Sequence, residues 1–153
     1  MKITSPELLN QIMSILQNRF RDRMEDYAFP PPVFIAMQGE FLEYNSENHS
    51  LSVRFPVLES WLNPYGIMQG GMVAAAIDNT IGPLSVLVAP PNVTRHMELK
   101  YSRAVTPQAG YISVTAHLLE RDGNWLTFKA EARDLKGKRL VRAKAVHWII
   151  DKH

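Results

Sequence analysis

One segment limits the fold of this chain more than any other. From Gln69 to Val88 apolar residues recur at helical spacing, with Val73, Ala76, Ile77, Thr80, Leu84, Leu87 and Val88 on one face. A helix this apolar cannot lie on a surface and must be covered. The stretch from Gly70 to Pro91 is the most membrane-like part of the chain. Asp78, Asn79 and Pro83 interrupt it, so it fails as ~20 continuous apolar residues. A buried helix in a globular core is the better reading. A kink or a restart is expected at Pro83, which removes a backbone donor and crowds the preceding turn.

Around that helix the apolar period is two. Phe41 to Tyr44 reads as a short strand, and Leu51, Val53, Phe55 and Val57 as a half-buried one, with Asn48-His49 in the turn between. After the helix come Met97, Leu99 and Tyr101, then Ile112, Val114, Ala116 and Leu118, then Leu126, Phe128, Ala130 and Ala132. Val141, Ala143, Ala145, His147 and Ile149 form the last run. Asp122-Gly123 and Lys136-Gly137 supply hairpin turns between the final three. Strands linked this directly are antiparallel. One curved sheet can wrap the helix, which makes the class α+β.

Ahead of the sheet, Ser5-Pro6-Glu7 is a helix start: a capping hydroxyl, proline at the first position and an early acid. Leu8, Ile12, Ile15, Leu16, Phe20 and Met24 carry that helix to about Asp26, and Pro30-Pro31-Pro32 stops it. The chain therefore divides into residues 1–35, an N-terminal helix with a proline-rich connection, and residues 36–153, a single domain. The opening helix reads as a packing appendage with no chemistry in it.

Composition narrows the function. At 153 residues there is room for one sizeable core and not for two. Zero cysteines exclude disulfides, thiol nucleophiles and cysteine zinc sites. The five histidines show no paired ligand spacing, so no metal is expected. A net charge of +2 with no long basic block argues against nucleic acid, since Lys136-Gly137-Lys138-Arg139 reads as a hairpin tip. Mild positive charge suits an anionic small molecule. No secretory pattern follows Lys2, which points to the cytoplasm and away from a membrane.

Chemistry concentrates in Asn63-Pro64-Tyr65-Gly66-Ile67-Met68-Gln69-Gly70-Gly71, running into the helix that holds Asp78. Two glycines at a helix start let another group approach N–H donors that lack intrahelical partners and sit at the positive end of the dipole. Such donors can polarise a carbonyl or hold an oxyanion. Asp78 lies almost two turns past Gly71, on the same side but ~10 Å along the axis. One carbonyl cannot meet both within one helix. Two antiparallel helices from two subunits can bring them together, so the spacing argues for a shared site. The bland readings are an ordinary glycine-led helix start and a structural, hydrogen-bonded Asp78.

Asn-x-x-Gly-x-x-His-Gly-Gly followed by a helical Asp resembles the hotdog-fold acyl-CoA thioesterases, the PaaI-like group in particular. Val93-Thr94-Arg95-His96-Met97-Glu98-Leu99-Lys100-Tyr101-Ser102-Arg103-Ala104-Val105 is similar to that group's strand after the central helix. The resemblance covers roughly residues 38 to 150. It implies a hotdog fold, a long central helix wrapped by about six antiparallel strands, here with an extra N-terminal helix. It implies Asp78 as nucleophile or general base, Gly70 and Gly71 as amides polarising the thioester, Asn63 orienting that carbonyl and Thr94 placing water. It also implies sites shared between subunits.

Gln69 stands where this group commonly has His. Its amide can donate a hydrogen bond but cannot titrate near neutral pH. Either Gln69 orients substrate, or activity is weaker or different here. His96 borders the site if strand alternation keeps it beside Thr94; a solvated face is the other reading. Arg95, Lys100 and Arg103 are candidates for the coenzyme A phosphates or for a solvated face. Trp61, Met68 and Met72 either line an acyl pocket or pack in the core.

The expectation is a homodimer or dimer of dimers that hydrolyses an acyl-CoA to acid and coenzyme A, with no cofactor beyond the coenzyme A of its substrate. The alternatives are a non-catalytic acyl-CoA-binding domain and a hotdog dehydratase or hydratase, which would need a histidine–carboxylate pair.

Overall fold

The computed structural model describes residues 4–150. Helix α1 spans Pro6–Phe20. Ser5 caps it by accepting the Leu8 amide through its hydroxyl at 3.2 Å. Its stripe Ile12, Leu16 and Phe20 is buried. The helical path does reach Asp26, but Arg21–Asp26 is a tighter 3-10 turn. The prolines do not end all winding either: Pro32 opens a short helix α2, Pro32–Ala36. A proline's fixed φ and missing N–H cost nothing at a first helical position.

The remaining elements follow the expected order. Strands β1 (Glu40–Asn45) and β2 (Ser50–Pro56) precede the central helix α3 (Gly70–Val88). Strands β3 (Asn92–Tyr101), β4 (Tyr111–Asp122), β5 (Trp125–Arg133) and β6 (Arg139–Ile149) follow it. All six join one sheet in the order β1-β2-β4-β5-β6-β3, every pair antiparallel. β3 thus returns to the far edge beside β6. Leu51, Val53, Phe55, Ile112, Val114, Ala116, Leu126, Phe128, Ala130 and Ala145 are buried on the face turned to α3.

Among the described residues one helix, α3, is long and apolar enough to qualify as a membrane span. Val73, Ala76, Ile77, Ile81, Leu84 and Leu87 are instead buried in the core, joined there by the buried stripe of α1. α3 does not restart at Pro83. The Pro83 ring is buried, and the Ser85 hydroxyl donates to the Gly82 carbonyl at 2.6 Å, so packing holds the backbone helical on both sides. Arg19 of α1 donates to the Leu87 carbonyl at 3.1 Å, placing a cation on the negative end of α3.

Candidate active site

The loop into α3 is built around Asn63. Its side-chain oxygen accepts the amides of Tyr65 (2.9 Å) and Ile67 (3.1 Å), so this residue shapes the turn. Met68 and Gln69 are tied by backbone bonds to Val105 and Trp61. The amides of Met72 and Val73 turn back to the Gln69 carbonyl. Among the described residues no hydrogen bond takes up the amides of Gly70 and Gly71. The Gln69 side chain is exposed and caps nothing.

Packing within the chain does not require either glycine. A Cβ on Gly71 would meet nothing within 4 Å, and one on Gly70 would touch only the Tyr101 ring at an ordinary 3.5 Å. Tyr101 covers this end of the helix, donating its hydroxyl to the Gly70 carbonyl at 2.7 Å. Burial pushes that phenol up from its ordinary value. Arg103 lines a small cavity beside Gly70 and Tyr101 and donates to the Arg139 carbonyl. Met68 lines that cavity too, but only from within the core, being 3% exposed. Trp61 and Met72 pack against the core as well.

Two turns further on, α3 presents Asp78. The Thr94 hydroxyl donates to Asp78 Oδ1 at 3.1 Å and also lies 3.2 Å from His147 Nε2. His147 Nδ1 is 2.7 Å from Asn92 Oδ1, while Asn92 Nδ2 donates to the Pro90 carbonyl. That second bond orients the amide, so its oxygen faces His147 and Nδ1 carries the ring proton. Nε2 of the neutral ring is then an acceptor. Thr94 has one proton and two acceptors, Asp78 and His147.

His147 is 2% exposed, with its ring 5.0 Å from that of Phe128. Burial holds its pKa below the ordinary histidine value, against an opposing pull from Asp78. From the sequence, His147 reads only as an inward member of an alternating strand. Its polarity on that apolar face was the available signal; its partner lay 53 residues away.

The other candidates separate. β3 carries a bulge between Thr94 and His96. Thr94 pairs with inward His147, whereas His96 pairs with Val146 and Lys100 with Arg142, on the other side of the pleat. Simple alternation would have kept Thr94 and His96 on one face; the extra residue, Arg95, switches it. His96 and Lys100 therefore point away from Asp78 into solvent, and His96 stands 3.9 Å from Glu98. Arg95 is exposed at the bulge.

Against Asp78 opens a mostly apolar cavity of about 390 Å³. Thr94, His147 and Asn92 close its polar end. Leu16, Phe20, Met24 and Tyr27 line it from the N-terminal segment, so α1 and its following turn form part of the cavity wall.

Comparison of the whole architecture with solved structures is decisive for the fold. The PaaI protein of the Escherichia coli phenylacetic acid degradation operon superposes with a TM-score of 0.76 at 12% identity, covering 92% of this chain and 96% of that one. The chain has the hotdog fold. A second hotdog protein, phenylacetic acid degradation-related and described as a candidate thioesterase from Ralstonia eutropha JMP134, gives 0.72 at 25% identity over 85% and 99% of the two chains. A third, from Streptococcus mutans UA159 and solved with acetyl CoA bound, gives 0.69 at 15% over 75% and 90%. No family model and no curated protein matches the sequence. The PaaI-like resemblance thus holds for the hotdog architecture as a whole.

Proposed function

We propose that this hotdog protein is a cytoplasmic acyl-CoA thioesterase, acting as a homodimer or a dimer of dimers. The observation that carries the reading is the carboxylate of Asp78, held by Thr94 at the mouth of an apolar cavity. The open amides of Gly70 and Gly71 complement it at the start of the same helix. Those amides stand ~10 Å from Asp78 along one helix, so the donors that meet a given Asp78 come from a second copy of the chain.

In this mechanism the thioester oxygen accepts hydrogen bonds from the Gly70-Gly71 helix start, which stabilises the oxyanion formed on attack. Asp78 removes a proton from water as the water oxygen bonds to the carbonyl carbon, or attacks that carbon itself and yields the acyl group to water. On the base route the carbon–sulfur bond breaks and coenzyme A leaves as the thiol with the proton that Asp78 took; on the covalent route it leaves as the thiolate, and the water that opens the acyl-aspartyl anhydride supplies the proton. Thr94, its one proton shared between Asp78 and His147, orients the carboxylate and accepts from the water, with Asn92 fixing the His147 ring. Gln69 and Arg103 flank the entry, Arg103 and Arg95 offering charge to the phosphates. The substrate's own coenzyme A is the only cofactor this scheme uses.

A dehydratase or hydratase reading gains one observation. His147 supplies the histidine that the helix start lacks, linked to Asp78 through Thr94. Both ring nitrogens of His147 are already engaged, Nδ1 by Asn92 and Nε2 by Thr94, which favours hydrolysis. Release of free thiol from a panel of acyl-CoAs, with product analysis on a 3-hydroxyacyl thioester, decides between them. Tight binding without thiol release would instead establish the non-catalytic reading.

A further inference from the structure

The cavity beside Asp78 has a direction as well as a volume. Asp78, Gly82 and Val86 all line it, and they follow one another at four-residue steps along one face of α3. Gly82 makes this face a trough, since a Cβ there would meet nothing within 4 Å. Phe20, Met24 and Tyr27 roof it, the rings of Phe20 and Tyr27 stacked with centroids 4.2 Å apart. Arg19 pins that roof to the end of α3 through the Leu87 carbonyl. The lining is mostly apolar; its polar groups cluster around Asp78, with Ser85 the exception near Val86, its hydroxyl donating to the Gly82 carbonyl.

We infer that this trough is the acyl channel, with the N-terminal segment as its roof, and that it measures a linear acyl group of medium length. The inference rests on the thioesterase reading for the position of the thioester at Asp78. From Asp78 to Val86 the helix advances ~12 Å. An extended chain advances roughly 1.3 Å per bond, so that distance takes on the order of nine or ten carbons. An acyl-CoA of that size seats its carbonyl at Asp78 and its methyl end near Val86. Each further methylene seated adds a few-fold to affinity until the end wall is met.

The test is a pair of truncating variants read against chain length. Wild type should show kcat/KM climbing from butanoyl- to decanoyl-CoA and levelling or falling by hexadecanoyl-CoA. Gly82→Leu blocks the trough one turn from Asp78 and should lower the decanoyl-to-butanoyl ratio at least tenfold. Val86→Phe blocks it two turns away and should move the optimum only to about eight carbons. Leucine is the better helix former, so Gly82→Leu should not cost folding, which circular dichroism checks. Calorimetric binding of decanoyl- and butanoyl-CoA reads the same preference without catalysis. Binding that prefers decanoyl-CoA with no thiol release would overturn the thioesterase reading and keep the channel. A flat chain-length profile, or variants that lower both substrates in parallel, would overturn the channel and leave hydrolysis standing. Binding of neither would remove both.

Discussion

The two ends of the central helix are finished to different degrees. Around Asp78 the polar groups find partners inside one chain: Thr94 meets Asp78, His147 meets Thr94, and Asn92 meets both His147 and Pro90. At the other end, among the described residues no hydrogen bond takes up the amides of Gly70 and Gly71, and Gln69 leaves the helix without a side-chain cap. Two glycines in a first turn forgo roughly 1 kcal/mol each of helix preference relative to alanine. Tyr101 stands beside Gly70, and among the described residues nothing fills the space beside Gly71. The carboxylate end is built to hold a fixed geometry, and the amide end is built to receive something. In the proposed dimer each supplies what the other chain lacks.

Removing the charge at the finished end should have the largest effect. Asp78→Asn keeps the size and the bond from Thr94, so we expect at least a ~100-fold loss of turnover with melting temperature and coenzyme A affinity largely kept. A structural Asp78 would give the reverse, a lowered melting point with activity following the folded fraction.

Filling the open end should separate stability from activity in the other direction. Gly71→Ala adds a methyl where nothing stands within 4 Å. The melting temperature should hold or rise, while hydrolysis drops on the order of tenfold because the oxyanion can no longer approach the amides. A variant that loses stability instead would mean that the glycine serves the fold.

His147 links the finished end to pH. Burial lowers its pKa in the folded protein, so below about 6.5 the unfolded chain binds more protons than the folded one. Stability therefore falls as pH falls through that region. His117 contributes in the same sense, lowered by burial and by Lys129. His147→Gln should flatten, but not abolish, the decline in melting temperature between pH 7 and the acid side of about 6.5. An unchanged slope would exclude His147 as its source. The smallest effect is expected at Gln69: exchange for His should leave kcat/KM within a few-fold if the residue only orients substrate. A clear rise would assign chemistry to that position.

Much of the site was legible because it is local. A glycine pair, a helix and an aspartate two turns along lie within one short stretch, and their spacing along a helix follows from its pitch. Alternation likewise marks which residues of β2, β4, β5 and β6 turn inward. The same rule holds for Met97, Leu99 and Tyr101 and leaves His96 outward, but it fails at Thr94: the bulge at Arg95 turns that residue inward beside His147 and leaves no trace in a pattern of mixed polarity.

By itself the sequence determined the order of elements, the need for a sheet around an apolar helix, the hairpins at Gly123 and Gly137, and the place of Asp78 on its helix. Each depends on interactions between residues close along the chain. Tertiary structure alone decided that β3 pairs with β6, which puts Thr94 between Asp78 and His147. It also decided that Phe20, Met24 and Tyr27 wall the cavity beside that carboxylate. Those contacts join residues tens of positions apart, and they are set by how whole faces pack, which no local period encodes.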